Sequence, residues 1–114
     1  MKIIVHIDEM AKWPMVLNNL NHLAQAYPAP NNQIELLVNG DAVMGVKANS
    51  KEAEKIRHAL TSQIVIAVCQ NSLTQRKITT EDLLNNSTIV ASGVVELVEK
   101  QALGYHYLRA LVIT

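Results

Sequence analysis

The chain has one cysteine, Cys69, and its position in the sequence suits reactive thiol chemistry. It follows an apolar, β-branched run at residues 64–68, which is typical of a buried strand, and precedes a predicted helix at 71–77. The N–H groups at a helix N-terminus carry partial positive charge, which lowers the pKa of a thiol placed there. The backbone N–H groups of Asn71 and Ser72, together with Arg76, are the candidates for stabilising the resulting anion.

The alternative is that Cys69 fills a place in the core, because free cysteine is among the residue types most often buried. Both interpretations stay open at the level of sequence, and so does a third in which Cys69 is a thiol-based redox sensor. Access to the sulfur and the pKa of the thiol would separate them.

Polar residues also follow the other predicted strands. In open α/β sheets, ligands bind beyond the carboxyl ends of the strands. The polar or small residues at these positions are His6, Asp8, Asn39, Gly40 and Ser92. We expect them to lie with Cys69 along one edge of the sheet and to form any ligand-binding site there.

The elements that must position these residues alternate between strand and helix patterns. Strands are predicted at 2–7, 34–38, 64–68, 88–91 and 105–113. Helices are predicted at 13–27, after a capping box formed by Asn49 and Glu52, at 71–77 and at 94–103. This order predicts one three-layer α/β domain over residues 1–114, with a mostly parallel five-stranded sheet and helices on both faces.

Short signals at the ends of the helices support this segmentation. Ser92 is placed to cap the last helix, and Gly104 stands where a helix-terminating glycine is common. Thr79 and Asp82 have cap spacing before a short turn. Near the end of the chain, Leu108 and residues 111–113 make an apolar edge strand, which suggests a subunit interface.

Composition excludes several classes of protein and of site. The 114 residues are 49% hydrophobic and 18% charged, which argues against disorder. The formal net charge is zero, so the chain offers no basic field for nucleic acid. Its apolar runs are far shorter than the roughly 18 residues of a membrane span. The four histidines lack ligand spacing and the glycines form no phosphate-binding loop, so we expect no metal or cofactor. The first residues lack the pattern of a signal peptide, so we expect a cytoplasmic location.

The segment around Cys69, Val-Cys-Gln-Asn-Ser-Leu-Thr-Gln-Arg-Lys-Ile at residues 68–78, resembles the segment around the sulfur-accepting cysteine of the DsrE-like family. The resemblance continues in order along the chain, through His-Ile-Asp-Glu at 6–9, Lys-Trp at 12–13, Leu-Asn-Asn at 17–19, Asn-Gly at 39–40, Gly-Val-Val-Glu-Leu at 93–97 and Gly-Tyr at 104–105. One departure is Lys77, where many relatives have glycine.

The resemblance implies a five-stranded α/β fold that assembles into homo-oligomers, often trimers or hexamers. In sulfur-relay members the cysteine carries a persulfide between a donor and an acceptor protein, and that role would fall on Cys69. The leading hypothesis is therefore a sulfur-relay protein. The rival is a non-catalytic oligomer that binds a small ligand or a partner at the same edge, with a structural Cys69.

Overall fold

A computed structural model describes residues 1–110, and it confirms the α/β class. The five strands are β1 (Lys2–Ile7), β2 (Gln33–Val38), β3 (Val65–Cys69), β4 (Thr88–Val90) and β5 (His106–Arg109). They form one sheet in the order β4-β3-β2-β1-β5, and each neighbouring pair is parallel. Parallel strands need crossover connections, and here helices or short helical turns supply them.

The crossovers contain four α-helices, which are α1 (Trp13–Ala26), α2 (Ala53–Thr61), α3 (Gln70–Gln75) and α4 (Gly93–Ala102). Three 3₁₀ segments at Met10–Lys12, Gly40–Val46 and Thr80–Asp82 complete the connections. Each predicted helix is thus present in the described part of the chain. Their packing divides the sheet into two unlike faces.

The alternation of side chains along the strands sets the composition of each face. One face, here the α1 face, packs strand residues such as Val5, Leu36 and Ile66 against Trp13 and Leu20 in a large buried cluster. The other, here the α4 face, has a small cluster that consists of Ile4, Leu37 and Ala67, with Val90, Leu97 and Tyr105 packed against it. His6, Glu35, Asn39 and Cys69 alternate with α1-face residues and therefore point toward α4.

Trp13 anchors the α1 face. Its side chain is fully buried, and its Nε1–H donates to the carbonyl of Ala42 at 3.1 Å. A Cβ on Gly45 would lie 2.2 Å from that Nε1, so only glycine fits against the indole. The helical position of Trp13 beside Pro14 is as predicted, since proline is accepted in the first turn of α1.

Three of the predicted helix-end signals are confirmed and one is wrong. The Ser92 hydroxyl accepts the N–H of Val95 at 3.4 Å, Gly104 follows α4 with a φ of +94°, and Asp82 accepts from the N–H of Thr79 at 3.4 Å. The predicted capping box of Asn49 and Glu52 is wrong. The Glu52 N–H instead donates to the hydroxyl of Ser50 at 3.0 Å, so a serine turn precedes α2.

The boundaries around Cys69 differ slightly from the prediction. The helix after it is shorter and earlier than 71–77, because Lys77 adopts a left-handed φ of +56° that ends the helical path. Strand β3 begins at Val65 rather than at residue 64. The end of the predicted last strand and its apolar tail at 111–113 lie outside the described residues.

Candidate functional site

Cys69 lies where two helices begin. It is the last residue of β3 and the N-cap of α3, and its sulfur accepts the backbone N–H of Gly93, the first residue of α4, at 3.3 Å. The residue is only 5% exposed. The sulfur is therefore enclosed, but the groups that enclose it include backbone donors.

These donors outweigh burial in setting the ionisation of the thiol. Burial raises the pKa of Cys69, while the hydroxyl and N–H of Ser72 and the N–H groups of Gly93 and Asn71 lower it. The net result is a pKa below the usual value for cysteine. Since the thiolate is the nucleophilic form, the site favours sulfur chemistry. The predicted contribution of Asn71 thus comes from its backbone.

Ser72 is held so that its hydroxyl can serve the sulfur. Its Oγ accepts the N–H of Gly40 at 2.9 Å, which leaves the hydroxyl hydrogen free to point at Cys69. Gly40 has a φ of +58°, and a Cβ there would lie 2.9 Å from the carbonyl oxygen of Asp8. The Asn39-Gly40 turn is therefore a positioning element for Ser72, and glycine is required at its second residue.

Gly93 brings the ends of β2 and β3 together beneath α4. A Cβ on Gly93 would lie 3.2 Å from the Cβ of Asn39 and 3.4 Å from the Cβ of Cys69. Glycine thus allows the helix N-terminus to approach the sheet closely. Its neighbour Ser92 contributes by capping α4, which fixes the direction of the Gly93 N–H.

His6 extends the site through a chain of hydrogen bonds. Its Nε2 donates to the Oδ1 of Asn39 at 2.8 Å, because that oxygen can only accept. Its Nδ1 lies at hydrogen-bond distance, 2.9 Å, from the hydroxyl oxygen of Tyr107. The imidazole is 8% exposed. His6 and Asn39 are thus in direct contact, and Gly93 packs against both Asn39 and Cys69.

Asp8 and Arg76 take part in ion pairs at this edge. Asp8 pairs with Arg109, with 2.9 Å between Oδ1 and Nη2. Arg76 pairs with Asp41 at 2.8 Å and donates to the carbonyl of Ser72 at 3.1 Å. The guanidinium is thereby directed at α3 and the turn after β2, so its described contacts position Ser72. A direct role for Arg76 in stabilising a sulfur anion stays a prediction.

Sequence reasoning missed the hydroxyl of Ser72 and the side chain of Tyr107. The signal for Ser72 was its position three residues after Cys69, one helical turn on, where a hydroxyl can reach back to the N-cap residue. Tyr107 gave no such signal, because its contact with His6 depends on the register in which β5 pairs with β1.

Among residues 1–110, no group of three or more Asp, Glu, His or Cys side chains is placed to hold a metal ion. In the same part of the chain, none of the helices has the length and apolar character needed to cross a membrane.

The fold and the site together define a small parallel α/β protein with a donor-surrounded cysteine at the end of its third strand. Residues 7–110 match the DsrE/DsrF-like family, and the chain belongs to that family. The resemblance drawn from the sequence is thus confirmed. No curated protein matches the sequence significantly.

Three solved structures share the fold over nearly the whole chain. MTH1491 of Methanobacterium thermoautotrophicum, a protein of unknown function, is 22% identical, with a TM-score of 0.88 over 95% of this chain and 97% of its own. BT1422 of Bacteroides thetaiotaomicron, also of unknown function, is 19% identical, with 0.75 over 95% and 93%. The ychN protein of E. coli is 20% identical, with 0.71 over 96% and 99%. At these identities the likeness extends to the fold alone.

Proposed function

We propose that this chain is a sulfur-relay-type protein that carries persulfide sulfur on Cys69. Membership of the DsrE/DsrF-like family supports the general assignment. The observation that carries the finer step is the lowered pKa of Cys69, which its hydrogen-bond donors maintain although the residue is buried. Burial alone would raise the pKa of the Cys69 thiol, so the hydrogen-bond donors account for its being lowered.

The transfer is a thiol–disulfide type exchange that needs no outside oxidant. The Cys69 thiolate attacks the terminal sulfur of a donor persulfide, R–S–SH, and a new S–S bond forms as the donor S–S bond breaks. The donor leaves as the thiolate R–S⁻, and Cys69 becomes Cys69–S–SH. The same step in reverse, with an acceptor thiolate as the attacking group, unloads the sulfur.

The site suits Cys69 both as a thiolate and as a persulfide. The N–H of Gly93 comes from the start of a ten-residue helix, where the helix dipole adds to the attraction for an anion. The carrier also has no second cysteine in its own sequence that could convert the persulfide into an intramolecular disulfide.

Access to the sulfur depends on α4. Gly93 covers the sulfur of Cys69 and is the one buried residue of α4, while the rest of the helix is at least partly exposed. The N-terminal turn of α4 is therefore the part of the site that can move aside when a donor or acceptor protein docks. We place donor and acceptor proteins as partners on this side of the sheet, in a cytoplasmic setting that keeps the thiol reduced.

We also propose that the chain works as a homo-oligomer, with a trimer or hexamer favoured. Support comes from the outer side of α4, where Val94, Val95 and Val98 are between 51% and 66% exposed. Apolar side chains grouped on one helix are more often an interface than a solvated surface.

The rival function is a non-catalytic oligomer that binds a small ligand or a partner at this edge, with a structural Cys69. The 5% exposure of Cys69 favours this reading. A small ligand is disfavoured by the cleft beside His6, Asp8, Lys12 and Arg109, whose volume is about 10 Å³. That space holds about one water molecule, so this particular cleft does not admit a small ligand.

Incubation with a persulfide donor followed by mass spectrometry of the intact protein tests the proposal. We expect one added sulfur atom on the native protein, removed by a reducing agent, and none on Cys69→Ser. The matched control is Thr74→Ala, which changes an exposed hydroxyl on α3 and should load normally. A native protein that takes up no sulfur, although it does so after denaturation, would establish the structural Cys69 of the rival.

Light scattering during size-exclusion chromatography tests the assembly. We expect a multiple of the 12.6 kDa chain mass for the native protein and a smaller species for Val98→Lys, which puts a charge on the outer side of α4. Lys55→Glu, which changes a charge on α2, is the control and should leave the mass unchanged. A monomeric native protein at micromolar concentration would contradict the proposed assembly.

A further inference from the structure

Glu35 is a buried acid between the apolar residues Ile34 and Leu36 of β2. It lies on β2, faces α4 and is 4% exposed. Its Oε1 is 3.5 Å from the Nζ of Lys100. Its Oε2 is buried and has no hydrogen-bond partner among the described residues. A buried, unpaired carboxylate oxygen is costly, so this atom requires an explanation.

The charged groups around Glu35 come from α4 and the segment after it. Glu96 and Lys100 are one helical turn apart on α4, with 3.9 Å between the carboxylate of Glu96 and Nζ. Lys100 also lies 5.2 Å from the ring centroid of Tyr105, and Lys2 lies 5.9 Å from the same centroid. The neighbours in the sheet, Ile4 on β1 and Val65 on β3, are uncharged.

Two carboxyl groups therefore share one nearby ammonium group. If both were ionised, one negative charge would stay unneutralised beside the buried side chain of Glu35. A proton held between Glu35 and Glu96 removes that charge and also gives the orphaned Oε2 a hydrogen bond. One shared proton thus accounts both for the charge balance and for the unpaired Oε2 of Glu35.

We propose that Glu35 and Glu96 share a proton at neutral pH and form, with Lys100, a proton-dependent latch that fastens α4 to the sheet. The pKa of Glu35 is raised to about 7, first by burial and then by Glu96, while Lys100 opposes the rise. The pair therefore changes its charge close to physiological pH.

The latch matters because α4 has little else to hold it. Its apolar attachment runs through Leu97 to the small cluster of Ile4, Leu37 and Ala67. At its other end, Gly93 covers Cys69 and donates to the sulfur. Loss of the shared proton above neutral pH loosens the helix, and the cover over the cysteine loosens with it. This inference does not depend on whether Cys69 carries sulfur.

The sign of the pH effect follows from the raised pKa. The folded protein binds this proton more tightly than the unfolded chain, so the stabilisation it gives is largest at acidic pH. It is lost as the pH rises from the unfolded value of 4.5 through about 7. The folding equilibrium constant of the native protein, relative to that of Glu35→Gln, should fall roughly 70-fold between pH 5 and pH 8.

Urea unfolding of the full chain across this pH range is the test, with carbon-13 NMR of the glutamate carboxyl groups on the native protein beside it. We expect one carboxyl resonance to titrate near neutral pH and to be absent in Glu35→Gln. Backbone hydrogen exchange in α4 should accelerate above pH 7 in the native protein, after correction for intrinsic rates, and should stay slow in Glu35→Gln.

Three further variants keep the test decisive. Lys100→Met removes the cation that lowers the pKa of Glu35, so the fall in stability should move to higher pH. Glu96→Gln removes the like charge and should move it to lower pH. Glu54→Gln, in an exposed pair with Arg57, is the control and should follow the native profile. Parallel profiles for the native protein and Glu35→Gln, or a Glu35 that titrates in the ordinary carboxyl range, would overturn the proposal.

Discussion

The two faces of the sheet differ in how much apolar surface they bury and in which ionisable side chains they carry. The α1 face packs three helices, including Trp13 of α1, against the apolar residues of the inner strands in a large buried cluster. The α4 face has three fully buried apolar residues and one covering helix, and it carries Cys69, His6 and Glu35. Stability is thus concentrated on one face, and ionisable chemistry on the other.

This separation explains how a small chain can keep a reactive group. Polar and titratable groups reduce the apolar area that a face can bury, and the gain from burial scales with that area. The α1 face supplies the stability that the α4 face lacks. We therefore expect substitutions on the two faces to act on different measurable quantities.

The largest expected effect is that of Trp13→Ala on stability. Removing this fully buried indole leaves a large cavity, which typically costs about 3–5 kcal/mol. Leu97→Ala, on the half-buried side of α4, should cost about 1 kcal/mol. Urea unfolding monitored by circular dichroism measures both. Equal losses of unfolding free energy in the two variants would mean that the two faces contribute equally to stability and would contradict this difference between them.

A pair of glycine substitutions sharpens the same contrast. Gly45→Ala places a Cβ 2.2 Å from the indole nitrogen and should cost about 3 kcal/mol, because neither element can yield. Gly93→Ala meets its neighbours at 3.2 Å and 3.4 Å, so its cost should stay below about 1 kcal/mol.

Gly93→Ala should instead change the ionisation of the Cys69 thiol. By displacing the N-terminal turn of α4 it weakens the N–H···Sγ hydrogen bond, so the pKa of Cys69 should rise. Thermal unfolding and a thiol titration on each protein give the two readings. A Gly93→Ala protein that is strongly destabilised but has an unchanged thiol pKa would show that this residue of the α4 face serves stability and not the ionisation of Cys69.

The smallest expected effect is the change in thiol reactivity caused by Ser72→Ala, which also takes the hydrogen-bond acceptor from the N–H of Gly40. It removes the hydroxyl donor to Cys69 and leaves the backbone donors in place. Since a hydrogen bond to a charged group is worth about 1.5 kcal/mol or more, the alkylation rate at neutral pH should fall about tenfold. Stopped-flow alkylation measures this, with Thr74→Ala as the matched control. An unchanged rate would remove Ser72 from the site.

Sequence patterns sufficed for the architecture, because periodicity and capping are local. The β-branched runs, the cap at Ser92 and the glycine at 104 each depend on residues a few positions apart. The placement of Cys69 after a strand followed from the same information. The wrong cap at Asn49 shows the limit, since Ser50 competed for the same role one residue away.

The chemistry on the α4 face depended on contacts between distant segments. Glu35 interrupts an apolar strand, and that interruption was visible in the sequence. Its partners on α4 lie more than 60 residues further on, and only the packing of the helix on the sheet brings them together. The contact of Tyr107 with His6 likewise depends on strand register. Local patterns cannot encode either pairing.

The most direct test of a thiol kept ionisable on the α4 face is the alkylation rate of Cys69 in the native protein, followed across a pH series. Donation from Ser72, Gly93 and Asn71 predicts an inflection below the ordinary pKa of cysteine. A thiol that reacts only after denaturation, or whose rate rises only at or above the ordinary pKa, would contradict the account.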